Sequence, residues 1–306
     1  MEDNNQNLNL AAIDIGSNAA RLLISQVLET ENEHPQFIKV NLVRVPLRLG
    51  FDVFESGYIS KQKEEDIVDT LLAYKKLMKI HRVSYYKICA TSAMRDAINS
   101  KEVIARVKEL TDVEIKVING KEEAAIIFEN HIENFLDKDH SYLYIDVGGG
   151  STELTLFDNN QLIFNETFNV GTVRMLKSNG DNKEWQRMKE FVKSEVNYSN
   201  NLMGIGSGGN INKVASLAKI KGGKPLSIET LKEYYDNLSE LSVEERMKKY
   251  NLREDRADVI VPALQIYTNI MRWANINEIH APKFGLADGI IRSLFQQVVH
   301  QEIINL

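Results

Sequence analysis

Ile145-Asp146-Val147-Gly148-Gly149-Gly150-Ser151-Thr152-Glu153-Leu154 decides how this chain is read, because Ala12-Ile13-Asp14-Ile15-Gly16-Ser17-Asn18 repeats its plan near the N-terminus. In each copy an apolar strand runs into Asp-x-Gly, then through small residues into a second alternating strand (Arg21-Leu22-Leu23-Ile24; Glu153-Leu154-Thr155-Leu156). Glycines let an anion approach the backbone closely, and successive amides form an anion-binding nest. The aspartate adds a hard oxygen ligand for the Mg²⁺ that phosphoryl groups bring with them. One such loop is an ordinary glycine-rich β-turn. Two imply related lobes facing each other across a phosphate-binding cleft.

Strands and helices alternate along the rest of the chain, which argues an α/β fold. The first half reads as strands near Leu10–Ile15, Arg21–Leu28 and Phe37–Pro46, followed by a helix after Ser60 with Ile67, Leu71, Leu72 and Met78 on one face. A buried strand over Tyr85–Thr91 comes next. Asn99 and Glu102 suggest a capping box for a helix to about Leu110, and Val113–Ile118 reads as a strand. The second half restarts with strands Tyr142–Val147, Thr152–Phe157 and Leu162–Phe168. A polar surface loop follows over Lys177–Lys183. Strand Leu202–Ile205 then leads into Gly206-Ser207-Gly208-Gly209 and a helix opening at Asn210 or Ile211. Ser242 and Glu245 form a second capping-box pair. Asp255–Ala274 reads as one long helix that Pro262 either starts or kinks, Glu278–Ala281 as a short strand and Gly289–Val299 as an amphipathic helix.

At 306 residues there is room for two domains or one large one, and 43% apolar with 26% charged residues is an ordinary globular balance. A net charge of −6 offers no overall attraction for nucleic acid, so a polyanion must be met by local basic patches. Thr70–Arg95 and Val196–Ile228 are candidate patches, although solvated helix faces explain most such lysines. Cys89 is the only cysteine, which excludes an intrachain disulfide or a cysteine metal cluster. Met1–Asn7 is unlike a secretory signal, and no apolar run reaches the ~20 residues that span a bilayer. These features point to a cytoplasmic protein that binds neither membrane nor nucleic acid. A homodimer fits general experience, but no segment marks an interface. The histidines, His81, His131 and His280 among them, show no metal spacing.

Four segments can carry chemistry. Asp146–Glu153 supplies the phosphate loop. Asn119-Gly120-Lys121-Glu122-Glu123-Ala124 puts two carboxylates at a helix N-terminus. Favourable helix-dipole placement explains such a pair, but this helix precedes the strand feeding the second loop and could offer a general base. Ala90-Thr91-Ser92-Ala93-Met94-Arg95-Asp96 ends a strand in hydroxyl residues and an arginine suited to phosphate oxygens, or to a surface salt bridge. The Gly206–Gly209 loop could hold phosphate at a helix N-terminus.

In this order, AIDIGSN (12–18), ATSAMRD (90–96), INGKEEAA (118–125), IDVGGGSTEL (145–154), GTVR (171–174), GSGG (206–209) and GLADG (285–289) resemble the exopolyphosphatase / guanosine pentaphosphate phosphohydrolase family, of the actin-like, sugar-kinase and heat-shock ATPase superfamily. The resemblance implies two ribonuclease-H-like lobes, 1–123 plus 288–306 and 124–287, without the helical C-terminal domain of longer members. It assigns Glu122 as catalytic base, and Asp146 and Glu153, with Asp14, to a divalent metal, Mg²⁺ or Mn²⁺, and the attacking water. Gly148, Gly149, Gly150 and Ser151 become the phosphate loop. Asp14, Ser17, Asn18 and Arg95 become first-lobe cleft residues, and Gly206, Ser207 and Gly208 further phosphate contacts. Three departures from the pattern stand out: Ala19 where a hydroxyl residue is usual, Gly209 for threonine or serine, and Ala287-Asp288 for Arg-Glu.

The activity implied is Mg²⁺-dependent release of terminal phosphate from inorganic polyphosphate. Guanosine pentaphosphate is the alternative substrate, and a non-catalytic phosphate or nucleotide sensor is the alternative outside enzymes. A kinase or ATPase of the superfamily is a weaker rival.

Overall fold

The computed structural model describes residues 8–30, 33–128, 140–159, 161–177, 182–196, 202–220 and 223–304. Met1–Asn7, His131, Lys221 and most of the polar stretch after Lys177 lie outside the described residues.

Strands β1 (Leu8–Ile15) and β2 (Ala20–Thr30) pair antiparallel with Asp14 opposite Arg21 and Ile15 opposite Ala20. Their loop is closed by a Gly16 N–H to Ala19 carbonyl bond of 3.0 Å. The chain continues through β3 (Glu33–Val45), α1 (Leu49–Ser56), α2 (Lys61–Ile80), β4 (Tyr85–Ala90), α3 (Ser92–Asp96), α4 (Ser100–Thr111), β5 (Lys116–Val117) and α5 (Gly120–Phe128).

The second half repeats the opening. β6 (Ser141–Val147) and β7 (Thr152–Asp158) pair with Asp146 opposite Glu153, and Gly148 N–H bonds the Ser151 carbonyl at the same 3.0 Å. Then follow β8 (Gln161–Phe168), α6 (Thr172–Lys177), α7 (Asn182–Glu195), β9 (Leu202–Ser207), α8 (Gly209–Leu217), β10 (Leu226–Ser227), α9 (Ile228–Ser239) and α10 (Val243–Tyr250). α11 (Glu254–Ala257), α12 (Ile260–Trp273), β11 (Glu278–His280) and α13 (Leu286–Ile304) complete it.

The first sheet has the order β3-β2-β1-β4-β5, and the second β8-β7-β6-β9-β11 with β10 added at the edge. The directions match as well: β1 runs parallel to β4 as β6 does to β9. The two halves are therefore two copies of one α/β lobe. Separate apolar cores lie within each, one around Ile13, Ile67 and Tyr74, the other around Leu143, Tyr267 and Ile270. A third joins them: Leu286, Ile290, Ile291 and Leu294 of α13 pack with Leu10 and Ala12 of β1 and with Tyr142 and Tyr144 of β6. No helix among the described residues is long and apolar enough to cross a membrane.

Several elements differ from the sequence reading. Only Lys116–Val117 of the expected strand 113–118 pairs with β4. Asn99 does not cap α4 with its side chain, because its amide bonds both the N–H and the carbonyl of Ile59 instead. The helix expected over 255–274 is broken between α11 and α12, and Pro262 stands in the first turn of α12, where its missing N–H costs nothing. Helix α1 was not foreseen, since its Gly-Phe-Asp-Val-Phe run has no helical stripe long enough to read. The Ser242–Glu245 capping box is present.

Candidate active site

The ends of β1 and β6, the N-terminus of α5 and the β9–α8 turn meet at the mouth of the interlobe cleft. They enclose a cavity of about 530 Å³. Asp14, Asn18, Glu123, Asp146, Gly148, Gly149, Ser207 and Gly208 are among the residues that line it. Six basic residues, Arg21, Lys39, Arg44, Lys213, Arg256 and Lys283, line it too, with Arg21 against Asp14.

Helix α5 turns the side chains of Glu122 and Glu123 to different sides. Glu122 accepts from Asn119 N–H at 3.0 Å while Asn119 Oδ1 accepts from Glu122 N–H at 3.0 Å, a reciprocal cap in which Glu122 is the third helical residue. Its other oxygen takes Lys116 Nζ at 2.8 Å, which holds its pKa below the ordinary value. Glu122 is therefore on the outer surface, away from the cleft. Glu123, a helical step of about 100° further round, is buried and lines the cavity. The Asn-x-x-Glu spacing is a signal that could have committed Glu122 to the cap and left Glu123 for the cleft.

Glu123 joins a buried acid group. Its pKa is pushed well up, first by burial and then by Glu153, Asp146 and Asp14, with Arg95 opposing. Glu153 is raised to about 8 by burial and by Asp146, against a 2.6 Å bond from Ser151 Oγ–H. Burial raises Asp146 to about 6, with Arg21 opposing and Asp14 adding to the rise. Burial raises Asp14 too, although Arg21 Nη1 lies 3.1 Å away. The loops have thus diverged at one register position: opposite the aspartate stands Arg21 in the first lobe and Glu153 in the second.

Other expected residues fall into two groups. Asp14, Asn18, Asp146, Gly148, Gly149, Ser207 and Gly208 line the cavity; Glu153, Arg95, Ser17, Gly150, Ser151 and Gly206 do not. Ser17 Oγ and Ser92 Oγ share a 2.8 Å hydrogen bond across the base of the first loop. Gly149 and Gly150 are tightly packed. A Cβ on Gly149 would stand 2.9 Å from Ser17 Cβ, and one on Gly150 would overlap the Phe54 ring and Ser92. Close approach of the lobes thus requires these glycines, and the Gly148 amide is spent on its turn, so the nest is narrower than four amides. Gly206 is packed under Ile211 and Ile279, whereas Gly208, at φ +111°, makes the turn into α8 that few side chains tolerate.

Arginines that the sequence reading missed complete the cavity wall. Arg44 pairs with Asp255, and Arg256 donates to Asn210 Oδ1 at 3.0 Å. Burial and the repulsion of Arg44 and Arg21 lower Arg256 to about 10. These residues are 212 positions apart along the chain, so no local pattern connects them.

The donors suit a hard divalent cation. Among the described residues no three acids gather closely enough to cage an ion. Asp14 and Asp146, facing one cavity from the two loops, match the one or two carboxylates by which Mg²⁺ is held when substrate phosphates and water complete its shell. Glu153 stands behind them rather than in the cavity.

An acid- and arginine-lined cleft between twin α/β lobes suits a phosphate-bearing substrate. Residues 26–298 match the profile described as the Ppx/GppA phosphatase family, and the chain belongs to that family. It is 24% identical over 302 residues to a putative exopolyphosphatase of Haemophilus influenzae, covering 93% of this chain and 91% of that one. A bifunctional 3-dehydroquinate synthase/phosphatase of Fusobacterium nucleatum is 35% identical over 170 residues, 54% of this chain; the match spans only 25% of that longer protein. The fold matches the Aquifex aeolicus Ppx/GppA family member with a TM-score of 0.75 at 24% identity, covering 95% of this chain and 98% of that one. It also matches a Cytophaga hutchinsonii exopolyphosphatase with a TM-score of 0.81 at 21% identity, covering 94% and 98%.

Proposed function

We propose that this protein releases terminal phosphate from inorganic polyphosphate, with a divalent cation, by attack of water. The observation that carries the reading is that buried Glu123 lines one cavity together with Asp14, Asp146 and six Lys and Arg side chains. A polyanion is gripped along the basic wall while its end meets the acids. A cation held by Asp14 and Asp146 would neutralise charge on the terminal phosphate. Glu123, presented to the cavity by the first turn of α5, would orient the water and take its proton once a cation offsets the surrounding negative charge. Arg95 steadies the buried carboxylates, and the Gly149 loop faces the phosphate oxygens. Positioning and electrostatics supply most of the catalysis in phosphoryl transfer. Guanosine pentaphosphate is the second reading, because Leu23, Leu42 and Phe284 line the same cavity and offer apolar surface to a nucleoside. A buried lone Cys89 and the absence of a membrane-length helix among the described residues suit a cytoplasmic enzyme.

The test is phosphate release from polyphosphates of several lengths, guanosine pentaphosphate and ATP, with Mg²⁺, with Mn²⁺ and with chelator. Glu123→Gln is expected to lower turnover about 10²- to 10⁴-fold. Glu122→Gln is expected to stay near wild type. Equal loss in both variants would sink the assignment, and no release by the wild type would favour a sensor.

A further inference from the structure

The Gly171–Arg174 segment stands outside the chemistry described above, yet it reaches both lobes. Helix α6 starts against the second glycine loop: Thr172 N–H bonds the Gly148 carbonyl at 3.0 Å, and Val173 N–H bonds that of Gly149 at 2.8 Å. Arg174 Nε takes the next carbonyl, Gly150, at 2.7 Å. Trans peptides then send the N–H groups of Gly149, Gly150 and Ser151 to the side away from α6. The other end of the Arg174 fork crosses the cleft. Its Nη2 lies 2.5 Å from Asp96 Oδ2, and its guanidinium stacks 4.1 Å from the Phe54 ring centroid of α1.

Asp96 is shared. Its other oxygen is 3.7 Å from Arg95 Nε, and Arg95 Nη1 donates to the Ile118 carbonyl at 3.2 Å, just ahead of the Asn119 cap of α5. A continuous polar chain thus runs from the second-lobe loop through Arg174, Asp96 and Arg95 to the root of the helix that presents Glu123. A salt bridge joining two lobes for stability needs only one contact on each side. This arginine instead divides its fork between a loop carbonyl and the carboxylate that orients another arginine.

We propose that Arg174 is a positioning residue that makes the placement of Arg95, and through it of the α5 carboxylate, conditional on lobe closure. The inference rests on the hydrolase reading. Opening the cleft releases Asp96 from Arg174, so the carboxylate beside the Arg95 guanidinium is no longer held in place from the other lobe. Closure restores loop, arginine and helix together, so that the catalytic arrangement forms only around an enclosed phosphate end.

The experiment is steady-state phosphate release from polyphosphate by Arg174→Ala, Arg174→Lys, Asp96→Asn, the Arg174→Ala/Asp96→Asn pair and Lys177→Ala. Lys177 also bridges α6 to α1, through Glu55 at 2.5 Å, without touching the loop. Arg174→Ala and Asp96→Asn should each lower kcat about 10- to 100-fold with KM changed less than about 3-fold. Their effects should not add, because both break one chain. Arg174→Lys should stay low, since an ammonium cannot fork between carbonyl and carboxylate. Lys177→Ala should remain within about 2-fold of wild type if bridging alone matters little. Additive losses, losses confined to KM, or equal damage from Lys177→Ala would overturn the proposal. If Arg174→Ala does not fold, Arg174→Lys and Asp96→Asn decide it. Wild-type protein inert toward every polyphosphate removes the hydrolase reading and this inference with it; an active wild type with an additive cycle removes this inference alone.

Discussion

Glu153 is buried beside Asp146, and the hydroxyl of Ser151 offsets only part of that cost. In the fold it keeps its proton to about pH 8, whereas an unfolded glutamate loses it near 4.5. Between those values the folded protein binds more protons than the unfolded chain, so stability is full below the lower value and falls as pH rises toward the upper one. Thermal unfolding without divalent metal should show Tm dropping by more than about 5 °C from pH 5 to pH 8. Glu153→Gln should make that slope shallower, while Glu123, also pushed well up by burial, and Asp146, raised to about 6, leave a remnant. A wild-type Tm flat over this range would mean that the acids find neutralising partners on folding. Single positions also show how the sequence could mislead. Asp14, Asp146 and Glu153 were legible because each stands at a fixed step from a glycine turn. Glu122 and Glu123 were not separable by composition, and only the helical angle between them decides which faces the cleft.

At the scale of elements, the turn into α8 explains one departure from the family pattern. A Cβ on Gly209 would stand 2.5 Å from Arg256 Nη1, so the missing side chain is the space the guanidinium occupies. Gly209→Thr should push Arg256 off Asn210 and weaken the grip on substrate, raising KM about 3- to 10-fold with kcat little changed. An unchanged KM would mean that the packed position of Arg256 is not the one that holds phosphate. Asp288, another departure, caps Gly285 N–H at 2.9 Å and pairs with Lys39 Nζ at 2.6 Å, so it anchors α13 beside the cavity. Strands and capped helices were legible at many places where a period or a cap marked them, as at Ser60 and Ser242, but the cap expected at Asn99 is not made. The short helices α1, α3 and α11 were not, because their geometry comes from lobe contacts and not from propensity. Arg44, Arg48 and Arg256 belong to the same class, since their partners are far away in sequence.

Across the whole molecule, charge and architecture pull in opposite directions. The chain carries −6, yet the cavity wall gathers Arg21, Lys39, Arg44, Lys213, Arg256 and Lys283 from both lobes. Duplication of one lobe was legible from the twin loops; this gathering was not, because it arises only when two sheets close on α13. Three of the six are already paired, Arg21 with Asp14, Lys39 with Asp288 and Arg44 with Asp255, which leaves the attraction to Lys213, Arg256 and Lys283. A long polyanion must therefore cross a repelling surface before it reaches a local positive field, and salt screens the two effects unequally. The long-range repulsion is lost first, at a Debye length of about 10 Å near 0.1 M, and the short-range grip later, near the 3 Å of about 1 M. KM for long polyphosphate should accordingly change little at low salt and then rise about tenfold towards molar salt, while kcat, governed by buried groups, stays within about twofold. If kcat falls in step with the rise in KM, salt is acting on the interlobe ion pairs that keep the cleft closed, Arg174–Asp96 among them, and not on the capture of substrate.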